Sequence, residues 1–88
     1  MDLKDLRCFI AVYELNGFAR AARSLDTVQS NVSNRVRRLE QLIGAPLFER
    51  RHRGIAATAK GELFYQYARK VLERVGELES AMQVKPAA

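Results

Sequence analysis

Eighty-eight residues, 48% of them hydrophobic and 28% charged, suffice for one domain that buries about 60% of its unfolded surface, which excludes a disordered chain and leaves little room for a deep ligand cavity. No apolar run approaches the ~20 residues of a membrane span, and the start MDLKDLRCFI carries acidic residues where a signal peptide has its apolar stretch, so no membrane partner and a cytoplasmic location are expected. The net charge of +5 favours an anionic partner, and an excess equal to all of it lies in residues 18–53, which hold eight basic and three acidic residues.

In chain order, Leu3, Leu6, Phe9, Ile10 and Tyr13 recur at the helical period and predict a first helix over about 3–15, with Asp2 as its N-cap. Asn16-Gly17 breaks it, Gly17 being free to take the positive φ that ends helices. A short second helix, Phe18 to Leu25, offers Ala21 and Ala22 for close crossing by a neighbour and Phe18 and Leu25 as core bulk. Asp26-Thr27 is too brief for anything but a tight turn, so the chain passes almost directly into the stretch Thr27 to Gly44.

There, Val28, Val32, Val36, Leu39 and Ile43 stack on one side of a helix over 27–43 and mark its core face. The opposite face collects Ser30, Ser33, Asn34, Arg37 and Gln41, with Gln29 at the flank in the first turn, and no carboxylate, since Glu40 lies toward the flank. That face suits a polyanion; taken alone it reads equally well as a solvated helix. Preceded by a small-residued helix and a turn of about three residues, it forms the helix-turn-helix pattern, which plain helical bundles can also produce.

Gly44 stops this helix and Ala45-Pro46 forces an extended exit. Leu47 to Arg50 and Ile55 to Thr58 predict two short strands around a polar tip, Arg51-His52-Arg53-Gly54. Beside a helix-turn-helix such a hairpin is a wing, with Arg51 and Arg53 in reach of a phosphate or a minor groove; the alternative is a solvated turn. Thr58 caps a last helix over about 59–82, where Phe64, Val71 and Leu78 are seven apart and Ala68, Val75 and Met82 are seven apart. These six form an expected homodimer seam, packing within the chain being the alternative. Residues 83–88 lack periodicity and read as a frayed tail or the start of a linker, giving a domain plan of 1–58, 59–82 and 83–88.

Catalytic chemistry finds no support. Cys8 and His52 are the only residues of their kinds and give neither a metal spacing nor a convincing pair, so Cys8 reads as a passive helix thiol and no metal or cofactor is expected. Glu14, Glu40 and Glu49 read as solvated helix and strand charges, and no nucleophile, base and orienter assemble from the spacing.

Phe18, Ala21-Ala22, Leu25, Gln29, Val32-Ser33, Val36, Leu39-Glu40, Leu42, Gly44, Leu47-Phe48, Arg50, Arg53-Gly54, Thr58 and Gly61, at these spacings, closely resemble the N-terminal DNA-binding domain of LysR-type transcriptional regulators. The resemblance runs from Leu3 to about Leu78. It implies a mainly α fold: a three-helix winged helix-turn-helix with a short two-stranded wing and a long linker helix that pairs in a dimer. It further implies tetramers in full-length members, and a small-molecule inducer sensed only by a C-terminal domain that these residues do not include. Carried over position by position, the DNA-contacting residues are Gln29, Ser30, Asn31, Ser33, Asn34 and Arg37 on the helix, with Arg53 and Gly54 on the wing. Many members have serine where Val28 stands and proline where Ser30 or Asn31 stands, so Thr27 or Asp26 is expected as N-cap here, and Ser30 and Asn31 offer hydrogen bonds where relatives offer apolar surface.

The leading expectation is therefore a homodimer that binds double-stranded DNA at a dyad-symmetric site. Gln29 and Asn34 would read bases, Ser30 and Ser33 would bond phosphate or base edges, and Arg37, Arg50, Arg51 and Arg53 would supply the salt-dependent part of affinity. The competing expectations are a sequence-blind nucleic-acid binder and a helical dimerisation module whose basic face serves solubility.

Overall fold

A computed structural model describes residues 1–85, which form four helices and a two-stranded sheet. Residues 86–88, and with them part of the expected 83–88 tail, lie outside the described residues. Helix α1, Leu3–Leu15, starts on a reciprocal capping box: Asp2 accepts from the Asp5 N–H at 2.8 Å, and Asp5 accepts from the Asp2 N–H at 3.2 Å. Asp2 is thus the N-cap that the sequence predicts. The exit from α1 is different. The left-handed residue is Asn16 at φ 57°, while Gly17 is extended at φ 173° and serves as N-cap of α2, Phe18–Ser24. Asparagine enters the left-handed region more readily than most side chains, so the glycine is not needed for that step.

Leu25 caps the C-terminus of α2 and turns outward, 36% exposed, instead of adding core bulk. The Thr27 N–H reaches back to the Ala22 carbonyl at 2.9 Å, and Asp26 takes φ 55°. That left-handed residue reverses the chain between α2 and α3, Gln29–Ile43. The N-cap of α3 is Val28, extended and without a side-chain cap bond, so neither Thr27 nor Asp26 takes that role. The Thr27 hydroxyl stands one residue too early and instead accepts from Asn31 Nδ2 at 3.1 Å. Val28 is 65% exposed: although it continues the i, i+4 row of Val32 and Val36, the chain there is still extended, and the side chain points away from the core.

Strands β1, Phe48–Arg51, and β2, Gly54–Ala57, pair antiparallel with Phe48 opposite Ala57 and Arg51 opposite Gly54, leaving His52 and Arg53 as the turn. Each is shifted by one residue from its expected span, because the flanking residues are used elsewhere. Leu47 is fully buried in the core. Thr58 caps α4, Ala59–Ala81, accepting from the Gly61 N–H at 3.0 Å and donating its own hydroxyl to the Pro46 carbonyl at 2.7 Å.

Two adjoining clusters make the core. Phe9 centres one with Leu6, Ile10, Leu39, Leu47 and Ala68, stacking on Phe48 at 5.1 Å and meeting Phe64 edge-on at 4.8 Å. Cys8, Val12, Ala21, Ala22, Val32 and Val36 form the other, where the two alanines let α2 approach α1 and α3 closely. Burial raises the Cys8 thiol pKa, which keeps it protonated and unreactive. Phe64 and Ala68, expected in the dimer seam, face α1 and belong to this core. No helix among the described residues is long and apolar enough to cross a membrane.

Candidate nucleic-acid interface

With Val32, Val36 and Leu39 turned inward, α3 presents Gln29, Ser30, Asn31, Asn34 and Arg37 outward, all exposed, with Ser33 half-buried. Arg37 donates to Asn34 Oδ1 at 3.1 Å, which orients the Asn34 amide, and Asn31 is occupied by its bond to Thr27. Ser33 and Arg37 border a groove shared with Phe18 of α2 and Arg50 and Ile55 of the wing. The Arg50 guanidinium lies 5.8 Å from the Phe18 ring, a cation–π contact that holds it beside α3. At the wing tip, Arg53, His52 and Gly54 are exposed, and Arg53 has no acidic partner among the described residues. Arg51 pairs loosely with Glu49 at 3.5 Å, both side chains exposed. One continuous side of the molecule therefore carries the outer face of α3, the groove and the wing cations.

Two carboxylates that read as solvated charges instead fasten elements to one another. Glu40 bends toward the wing, and its Oε2 accepts from the Leu47 N–H at 2.7 Å. That bond engages the only acid of α3, which lines the groove beside Arg37 and Arg50, and ties the entry to β1 onto α3. Glu14 accepts from Tyr65 Oη at 2.6 Å and from Arg69 at 3.0 Å, across to α4.

Sequence reasoning also missed Asp5. Buried at the start of α1, it receives Arg35 of α3 at 2.9 Å, with Arg38 at 3.9 Å. The Asp5 hydrogen bond raises the Arg35 pKa further, so this arginine is a fixed cation engaged with α1 and not free for a ligand. The wing-side bond of Glu40 and the α1-side ion pair of Arg35 clamp α3 on opposite flanks and set its rotation about its own axis. Only half of this was readable: the Asp2/Asp5 spacing is a capping-box signature, whereas nothing in the sequence pairs Asp5 with Arg35.

The model for the bacterial regulatory helix-turn-helix proteins of the lysR family matches residues 3–62. The HTH-type transcriptional regulator CzcR of Bacillus thuringiensis subsp. konkukian is 40% identical over 79 residues, 90% of this chain and 27% of that relative. Among solved structures, a BenM_DBD chain in complex with catB site 1 DNA superposes with a TM-score of 0.90 at 38% identity, covering 94% of this chain and 93% of that one. A CbnR_DBD–DNA complex gives 0.88 at 37%, covering 94% and 95%.

Proposed function

The chain belongs to the lysR family of bacterial regulatory helix-turn-helix proteins, and we propose that it is the sequence-specific, double-stranded-DNA-binding domain of a transcriptional regulator that acts as a homodimer. The observation that carries this reading is the surface on which α3 meets the wing at a groove lined by Ser33, Arg37 and Arg50, with Arg53 exposed at the wing tip and without an acidic partner among the described residues. Placed in a major groove, α3 brings Gln29 and Asn34 to base edges, where a side-chain amide meets adenine N6 and N7. Ser30, Asn31 and Ser33 bond base edges or phosphates. Arg37 and Arg50 take the phosphate backbone at the groove between α3 and the wing, and Arg51 and Arg53 with the Gly54 backbone reach the flanking phosphates or minor groove.

A reading head this small gains specificity by pairing. Tyr67, Val71, Leu78 and Met82 are exposed on one stripe of α4, with Val75 half-buried at its edge. A second copy covers that stripe, so two heads meet two half-sites related by a dyad. CzcR is more than three times the length of the matched segment; in this reading residues 1–58 are the DNA-binding unit, and residues 59–82, whose first half packs on it, lead on to whatever a longer chain carries.

The test is selection of randomised duplex DNA by the 88-residue chain. Enrichment of a dyad-symmetric motif is expected, with half-sites near one helical turn, or a multiple of it, apart. Enrichment of nothing beyond A·T richness would overturn sequence reading and leave a basic surface that holds phosphates.

A further inference from the structure

Beyond its core contact, α4 is fastened to α1 by a polar strap at the protein surface. Tyr13 donates to Glu62 Oε2 at 2.7 Å, and Tyr65 donates to Glu14 Oε2 at 2.6 Å, so each helix supplies one tyrosine and one glutamate to the other. The two rings stack with centroids 3.7 Å apart and planes 10° from parallel. Arg69 closes the strap, donating to Glu14 at 3.0 Å and to Tyr65 Oη at 2.9 Å. Glu62, Tyr65 and Arg69 lie three and four residues apart, on a stripe of α4 distinct from its core-facing and exposed apolar stripes.

The ion pair in the strap adds little to stability. Arg69 and Glu14 are about half exposed, and such pairs are screened by water. Geometry gives it another use. The reading head grips α4 mainly through α1; the fully buried residues of α4 are the small Gly61 and Ala68, Phe64 and Leu72 are only partly buried against the core, and beyond Leu72 no described residue of α4 packs on it. From Arg69 to Ala81 there are 12 residues, about 18 Å at ~1.5 Å per residue. A tilt of about 10° at the strap moves the far end of that lever by about 3 Å, close to the ~3.4 Å by which one base pair shifts a half-site.

We propose that the strap of Tyr13, Glu14, Glu62, Tyr65 and Arg69 is a positioning device that fixes the angle between the reading head and α4, and so sets the half-site spacing that a dimer accepts. This rests on the dimeric DNA-binding reading above. The experiment measures affinity for duplexes bearing one or two copies of the selected half-site, with the separation of the two copies varied in single base-pair steps.

For the parent chain the best separation is expected to exceed its neighbours by about tenfold, roughly 1.4 kcal/mol. In the double variant Tyr13→Phe/Tyr65→Phe, which keeps the stacked rings and loses both hydroxyls, that preference falls to about twofold, with affinity for a single half-site unchanged. Glu14→Ala, which removes the α1 acceptor that Tyr65 and Arg69 share, gives the same broadening. A variant that only loses stability melts earlier and keeps the parent's spacing profile, so unchanged profiles in both variants would overturn the proposal. A parent chain that binds two half-sites no more tightly than one overturns the dimer reading instead, and the DNA reading stands or falls on the single half-site alone.

Discussion

Replacing Glu40 with alanine loosens the wing from the recognition helix, and the size of the effect follows from one bond. Leu47 is fully buried, and its N–H donates to Glu40 Oε2 at 2.7 Å. Alanine leaves that donor inside the protein without its carboxylate, and losing a hydrogen bond to a charged group costs about 1.5–3 kcal/mol. Each kcal/mol moves the Tm of a domain of this size by about 4–8 °C, so Glu40→Ala melts about 6–24 °C below the parent. Alanine's better helix propensity returns only a few tenths of a kcal/mol. Glu40→Gln keeps an acceptor oxygen on the same stem, and a neutral bond is about half as strong as a charge-assisted one, so it melts between the two. Circular-dichroism melts at one fixed protein concentration make the comparison, since dimerisation ties Tm to concentration. An alanine variant within about 2 °C of the parent, or a glutamine variant below the alanine one, would refute the assignment of Glu40 as the fastener of the wing.

A methyl group at Gly61 would come within 2.1 Å of the Leu47 carbonyl oxygen, which itself accepts from the Thr58 N–H at 3.0 Å. Gly61→Ala therefore forces backbone apart at the start of α4 and should cost at least about 1–3 kcal/mol by denaturant melts; a neutral result would contradict the close approach. Arg53→Ala should reduce the slope of log K against log salt by about 0.9, the share of one phosphate, and an unchanged slope would take Arg53 out of the phosphate contacts. The Asp5 backbone N–H holds the Asp2 carboxyl below its ordinary pKa. A carboxyl depressed in the folded state contributes stability above its unfolded pKa and loses it as pH falls through the folded one. Stability should therefore decline below about pH 4, less steeply in Asp2→Asn, and an acid limb as steep in that variant as in the parent would remove Asp2 from the acid response. Leu78→Glu, at an exposed apolar position of α4, should weaken binding to paired half-sites and spare binding to a single one; equal losses on both would place Leu78 outside the dimer contact.

The order of the helices and the position of the wing were legible because they rest on local chemistry. Asp2 and Thr58 cap where an oxygen at the N-cap predicts, and Gly44 ends α3 in the left-handed region at φ 80°. The outward face of α3 followed from the inward stacking of Val32, Val36 and Leu39. What escaped were partners on different elements: Glu40 with Leu47, Arg35 with Asp5, and Glu14 with Tyr65, the last 51 residues away. Periodicity assigns a side chain to a face of its own helix and says nothing of the group opposite. A charged residue at the flank of a helix therefore reads as solvated until the neighbouring element is in place.

Two of the six residues expected in a dimer seam, Phe64 and Ala68, pack on the core, which leaves the C-terminal part of α4 as its exposed apolar surface. A seven-residue repeat drifts by ~20° per heptad on a straight helix, so Phe64, Val71 and Leu78 do not lie on one line along α4. Their exposure rises along the helix as α4 runs beyond the core: Phe64 is half-buried against Phe9, Val71 is 43% exposed and Leu78 is 60% exposed. The second row behaves alike, from Ala68 in the core through half-buried Val75 to exposed Met82. Phe64 and Met82 are about five turns apart at ~3.6 residues per turn and so share one side of α4; both rows become exposed because the C-terminal half of the helix runs beyond the elements that cover its start. Two straight helices of this kind meet along their C-terminal halves, and a seam running the full length from Phe64 would require either a left-handed supercoil or removal of α4 from the core. The core contact of Phe9 with Phe64 opposes the second. A second copy proposed on α4 finds its apolar surface beyond Ala68, so charge introduced at Leu78 is expected to act on the dimer, whereas any change at Phe64 acts first on the fold of the reading head.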